Sequence, residues 1–124
     1  MAYSDTVMDH FRNPRNVGEM AEADVVGRAT NPANAATVNL FLNVVDDRIV
    51  RAMFQSDGCT ATIAASSMLT VMLTGCALRD ARLFCTDDVE AALEGLPAGR
   101  QHASLLVVDA LRSALKSLSP QTAG

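Results

Sequence analysis

The 124-residue sequence is poor in positive charge: ten Lys and Arg stand against fourteen Asp and Glu, for a net charge of −4. It has no basic cluster, and its aromatics are only 4% of residues with no Trp. That composition offers neither a phosphate-binding surface nor a stacking platform, so no nucleic-acid partner is expected. No apolar run is long enough to span a bilayer, and no membrane partner is expected. The opening residues 1–5 carry neither a basic n-region nor an apolar h-region, so no secretory signal is expected. Cysteine is sparse. Cys59, Cys76 and Cys85 are an odd number with no C-x-x-C pair, which excludes a stand-alone zinc or thioredoxin-type motif. With no export signal, the expectation is reduced thiols in a cytoplasmic compartment. Also missing are a nucleophile elbow, paired carboxylates and a third orienting group, so a hydrolase is not expected and the chain reads as a non-enzyme.

What is present is ordinary globular material, 49% apolar and 19% charged, in a chain long enough to bury a core. One stretch organises the rest. Phe54 closes a strand, Asp57-Gly58 turns, and an apolar helix runs to Gly75, a left-handed cap. Ile63, Ala64, Met68, Val71 and Met72 fall near helical spacing as an apolar face, opposite Ser, Thr and Ala. A helix so poor in charge is expected to be central and mostly buried. Cys59 falls at its first turn, where unpaired N–H groups and the helix dipole favour a thiolate.

The flanking segments read in order. Ser4 caps a first helix with Val7, Met8 and Phe11 on its apolar stripe, stopped by Asn13-Pro14. Asp24–Thr30 reads as a strand. Thr37–Val45 alternates, with Val38, Leu40, Leu42 and Val44 facing one way, and pairs through Asp46-Asp47 with the strand Arg48–Gln55. A short helix over Ala77–Phe84 follows, then one capped by Thr86 and ending at Gly95. A last helix starts near His102 or Ala103, with Leu105, Val108, Leu111, Leu115 and Leu118 facing the core and Pro120 ending it. Strands grouped together and helices grouped together predict an α+β fold: a three-stranded antiparallel sheet with helices packed on one face, in the order α-β-β-β-α-α-α-α.

Several stretches resemble the iron–sulfur cluster assembly scaffold family of the IscU/NifU N-terminal type. They are Met-Ala-Tyr-Ser with Asp9-His10-Phe11 and Asn13-Pro-Arg-Asn-Val-Gly18, then Gly58-Cys59 leading into Ala65-Ser66-Ser67. His102-x-Ser104-x-Leu106 with Asp109-Ala110 is the last. The similarity runs over residues 1–118 and implies one scaffold domain there, with 119–124 as a flexible tail.

The family holds a nascent cluster on three cysteines, with a nearby aspartate that tunes the site. Clusters need soft, anionic thiolates. This chain departs from the pattern in its first ligand loop, Pro32-Ala33-Asn34-Ala35-Ala36. Asn34 stands at the cysteine position, Ala35 at the glycine and Ala36 at the aspartate. Ala103 stands at the third cysteine. Cys59 and His102 remain as candidate cofactor-binding and metal residues, with Asn34 a hard and poor third donor. Leu96-Pro97-Ala98-Gly99-Arg100 matches the family's chaperone-recognition segment only in part.

The resemblance implies an iron–sulfur cluster, or iron or zinc, as cargo, or none in this chain. It implies a cysteine desulfurase and a chaperone as partners. One protomer offers a thiolate and an imidazole where a tetrahedral site needs four donors. A homodimer pairing two Cys59 and two His102 would supply them; a monomer would not. Three functions are open: a cluster-assembly scaffold with weakened ligation, a cluster-free interaction protein docking a desulfurase or chaperone, and a persulfide carrier through Cys59 with His102 as base. His10, Cys76 and Cys85 read as structural.

Overall fold

The computed structural model describes residues 3–122. Its elements are α1 Asp5–Arg12, β1 Val25–Thr30, β2 Thr37–Val45, β3 Arg48–Ser56, α2 Thr60–Leu73, α3 Leu78–Ala81, α4 Thr86–Ala92 and α5 His102–Thr122. This is the α+β order expected. The three strands form one antiparallel sheet in the order β1-β2-β3, with Leu40 paired to Gly27 on one side and Phe54 on the other. The β2–β3 turn places Asp46 and Asp47 at φ 52° and 60°. Two left-handed residues give a primed turn, whose twist matches that of the strands it joins.

Val38, Leu40 and Leu42 on β2, with Ala52 and Phe54 on β3, form the core face of the sheet and are essentially inaccessible. α2 and α5 pack on that face. α5 lies unusually close to β1, and Gly27 is the reason. A methyl built on Gly27 would sit 2.1 Å from the Ala110 carbonyl oxygen and 2.8 Å from Ala114 Cβ. Interiors are packed near crystal density, so that approach leaves no room for a side chain.

Helix ends follow the sequence with local adjustments. The Ser4 side chain accepts the Val7 N–H at 3.1 Å and so caps α1, as expected. Gly75 at φ 87° follows α2 as the left-handed residue. α4 starts one position early, with Cys85 rather than Thr86 at the cap, because the Asp88 carboxylate accepts the Cys85 N–H at 2.8 Å. α5 continues through Pro120 to Thr122, beyond the stop expected at that proline. Of the expected tail, residues 123 and 124 lie outside the described residues, as do Met1 and Ala2 of the opening motif.

Two burial expectations are corrected. On α2 the core is met by the small face: Ala61, Ala64, Ala65, Ser66, Ser67 and Thr70, with Leu69 and Leu73. Ile63, Met68 and Met72 are only half-buried, and Val71 is 46% exposed. Small residues let the helix lie close to its neighbours, and that advantage outweighs burial of the longer side chains. On α5, Leu105 is 50% exposed, while Ala103, Leu106, Val107 and Ala110 take the core alongside Val108, Leu111 and Leu115. The same close approach at Gly27 favours an alanine-lined face. No helix among the described residues is long and apolar enough to cross a membrane.

Candidate functional site

Three segments meet at one end of the molecule: the loop 31–36, the start of α2 and the start of α5. Asp57 Oδ1 accepts the Thr37 N–H at 2.8 Å and so ties the end of the loop to the turn before α2. His102 lines a hollow of about 90 Å³ with Asn31 and Pro32 of the loop. Arg100, two residues before α5, is close enough for its charge to act on Cys59.

Cys59 is the N-cap of α2 rather than a residue of its first turn, and its side chain is exposed. The turn before it needs glycine for space, not for a left-handed angle. A methyl on Gly58 would lie 2.6 Å from Thr62 Cγ2. That proximity brings Thr62 Oγ1 within 3.5 Å of Cys59 Sγ. Burial pushes the thiol pKa up. The Thr62 hydroxyl, the nearby N–H groups of Thr62 and Ala61, and the Arg100 guanidinium together outweigh burial, so the net direction is down. Cys76 goes the other way: burial, reinforced by Asp80, pushes its thiol up. Of these two thiols, Cys59 is the one whose surroundings favour the thiolate.

Thr62 and Arg100 were not among the candidates read from the sequence. The spacing of Thr62, three residues past the cysteine at a helix start, was the available signal. Arg100 lay in the partly matched 96–100 segment.

The other candidate positions face away from ligation. Asn34 is exposed, and its Oδ1 accepts the Ala36 N–H at 3.0 Å, closing its own turn. Ala36 is half-buried against the core, and Ala103 is completely buried in it. Neither methyl carries a donor atom. Cys59 is not among the residues lining the His102 hollow. Among the described residues, no group of three or more His, Cys, Asp or Glu is arranged to hold a metal ion. One thiolate, one imidazole and one amide that is already hydrogen-bonded do not fit a cluster on a single chain.

The loop 31–36 holds one residue in a costly backbone conformation. Ala35, at the position the resemblance assigns to glycine, sits at φ 62°. That left-handed conformation is easy for glycine and costs an alanine roughly 1 kcal/mol.

Residues 2–123 match the family model described as the NifU-like N terminal domain. The chain belongs to that family. It is 46% identical over 113 residues to "Iron-sulfur cluster assembly scaffold protein IscU 1" of Archaeoglobus fulgidus, covering 91% of this chain and 74% of that protein. It is 37% identical over 119 residues to the protein named iron–sulfur cluster assembly scaffold protein IscU of Escherichia coli K12, covering 93% and 92%. In solved structures, the N-terminal NifU-like protein of Brucella abortus superposes with a TM-score of 0.75 at 18% identity, covering 95% of this chain and 94% of that one. At that identity the likeness concerns the fold alone. The two IscU relatives of this NifU-like chain are named as scaffold proteins rather than enzymes.

Proposed function

We propose that this chain acts in iron–sulfur cluster assembly as a scaffold-type protein whose own residues hold the cargo weakly or not at all. Family membership supports the pathway, and the donor set supports the weakening. The observation that carries the reading is the fate of the ligand positions. Ala36 packs against the core and Ala103 within it, Asn34 closes its own turn, and only Cys59 and His102 keep donors of the right kind. The cluster is cargo here, and no single protomer supplies its four ligands. A homodimer joining two Cys59 and two His102 is the arrangement that would restore them. Partners in this reading are a cysteine desulfurase and a chaperone, met in the cytoplasm. The unit that acts is residues 1–118.

The test is iron and acid-labile sulfide analysis of anaerobically purified protein, beside its Cys59→Ser variant and with the mass of each species. The expected outcome is far less than one cluster per monomer, with any residual iron lost in Cys59→Ser. A stoichiometric cluster on a monomer would overturn the reading.

The exposed, acidified Cys59 thiol favours a second role, as an acceptor of sulfane sulfur. The Cys59 thiolate attacks the outer sulfur of a partner's persulfide. A new S–S bond forms at Cys59, the partner's S–S bond breaks, and the partner's thiolate leaves. Thr62 and Arg100 shift Cys59 toward the thiolate, with His102 as a base for the fraction still present as thiol. The expected outcome is an alkylation pH profile for Cys59 that moves to higher pH in Arg100→Ala and in Thr62→Val. Unchanged profiles in both would remove this role.

A further inference from the structure

Charge on this chain is unevenly placed. Two neighbouring hollows share Arg82. One, of about 330 Å³, is lined by Arg48 and Arg79 with Asp46 and Asp47, and the other, of about 310 Å³, by Arg112 and Lys116. Five of the chain's ten basic residues therefore line these hollows with two of its fourteen acidic ones, in a protein of net charge −4. The Arg48 side chain donates to the Gly75 carbonyl oxygen, which places this surface at the C-terminal end of α2. That is the end of the helix opposite Cys59. Arg48, Arg79, Arg112 and Lys116 form no ion pair with another described residue. Arg48 with Arg79, and Arg112 with Lys116, are like charges that repel one another; Asp46, Asp47 and Asp80 offset part of that repulsion, and a facing anion lowers what remains.

We infer that this surface is a docking face for the acidic surface of a protein partner, separate from the Cys59 end. Three observations select that occupant. The cations are spread over the β2–β3 turn, α3 and α5, which is wider than one small anion bridges. Asp46 and Asp47 sit in the same hollow as Arg48 and Arg79. They repel a uniform polyanion such as nucleic acid or an anionic bilayer, but suit a protein face of mixed charge. Leu83, directly after Arg82, is 77% exposed and offers an apolar contact beside the guanidinium groups. Interfaces commonly join such an anchor to a charged surround that steers encounter. The inference does not depend on cluster ligation, and a partner held here would leave Cys59 accessible.

The test is a titration of the full ¹⁵N-labelled chain with a synthetic peptide of alternating Glu and Leu containing one Lys. Parallel titrations use pyrophosphate and phosphatidylserine vesicles. The expected result is peptide-induced shifts confined to the amides of residues 46–48, 78–84 and 112–116, lost as salt is raised. The double variant Arg79→Glu/Arg112→Glu is expected to weaken peptide binding by tenfold or more, while Arg12→Glu/Arg51→Glu, with the same change in charge, leaves it within twofold. Equal weakening by both pairs, or shifts spread over the whole surface, would reduce the effect to net charge and overturn the inference. Binding of vesicles or pyrophosphate at these amides without the peptide would replace the protein partner with a lipid or small-anion one.

Discussion

The segment Asn13–Gly18 lies against α2, and the loop 31–36 is tied to the turn before it; the first is one of the stretches that resemble the family, and the second is where the chain departs from it. The first is kept and the second is rewritten. The structure shows what separates them. Ser67 Oγ accepts the Arg15 N–H at 2.8 Å and meets His10 Nδ1 at 2.7 Å, while Asn16 Nδ2 donates to Thr70 Oγ1 at 3.1 Å. Asn16 and Gly18 also pair with Phe54, closing part of the free edge of β3. The kept segment is thus a strap on the Ser/Thr face of the central helix, and it satisfies buried polar groups. The rewritten loop bonds mainly to itself, through Asn31 to Ala33 and Asn34 to Ala36. The stretch that resembles the family is the one that satisfies buried polar groups, and the stretch that departs from it is the one that bonds mainly to itself. The strap holds the central helix, whereas the loop holds little beyond its own turn.

Substitutions test that contrast directly. Ser67→Ala removes the partner of both the Arg15 N–H and His10 in a buried setting, and is expected to cost about 2–3 kcal/mol. Urea unfolding checks it. A cost as small as that at Asn34 would break the comparison.

The second effect is a pH dependence. Burial lowers the His10 pKa from its usual 6.5 and the Arg15 charge lowers it further, with Asp9 opposing them. The Arg15 N–H already donates to Ser67 Oγ, so the Ser67 hydroxyl proton is left to donate to His10 Nδ1, which must be neutral to accept it. The folded state then binds fewer protons than the unfolded state. Stability from this group is full above pH 6.5 and is lost as pH falls from there through the lowered folded value. Unfolding midpoints measured from pH 8 to pH 5 are expected to fall, and His10→Gln is expected to flatten that part of the slope.

The loop gives the small effects. Ala35→Gly releases an alanine from a left-handed angle and is expected to stabilise the chain by roughly 0.5–1 kcal/mol, read as a higher midpoint at unchanged slope. Asn34→Ala removes one exposed turn bond and is expected to cost less than about 0.5 kcal/mol.

The fold was legible because its signals are local. Alternation in 37–45, the capping Ser4, the stop at Asn13-Pro14 and the glycine at 75 each specify one feature, and each is found. Which face of α2 is buried was not legible. Periodicity ranks side chains by hydrophobicity, whereas this helix is placed by how closely small residues let it approach. The same limit hid Leu105, whose exposure follows from the contact of α5 with Gly27. At the candidate site, Cys59 was visible from its place at a helix start. Thr62 and Arg100 were not, because one acts through a 3.5 Å contact and the other through charge carried on a separate loop.

The bare Cα of Gly27 ties the first strand to the last helix. The backbone of β1 reaches α5 through Arg28 N–H and Ser113 Oγ, a pairing of residues 85 positions apart. During synthesis the first strand leaves the ribosome long before the helix that must cover it. Until then its flat, side-chain-free notch stands open beside an unpaired strand edge, the kind of surface on which nascent chains associate. A chain halted before the last helix emerges would present a sheet without the helix that covers its first strand.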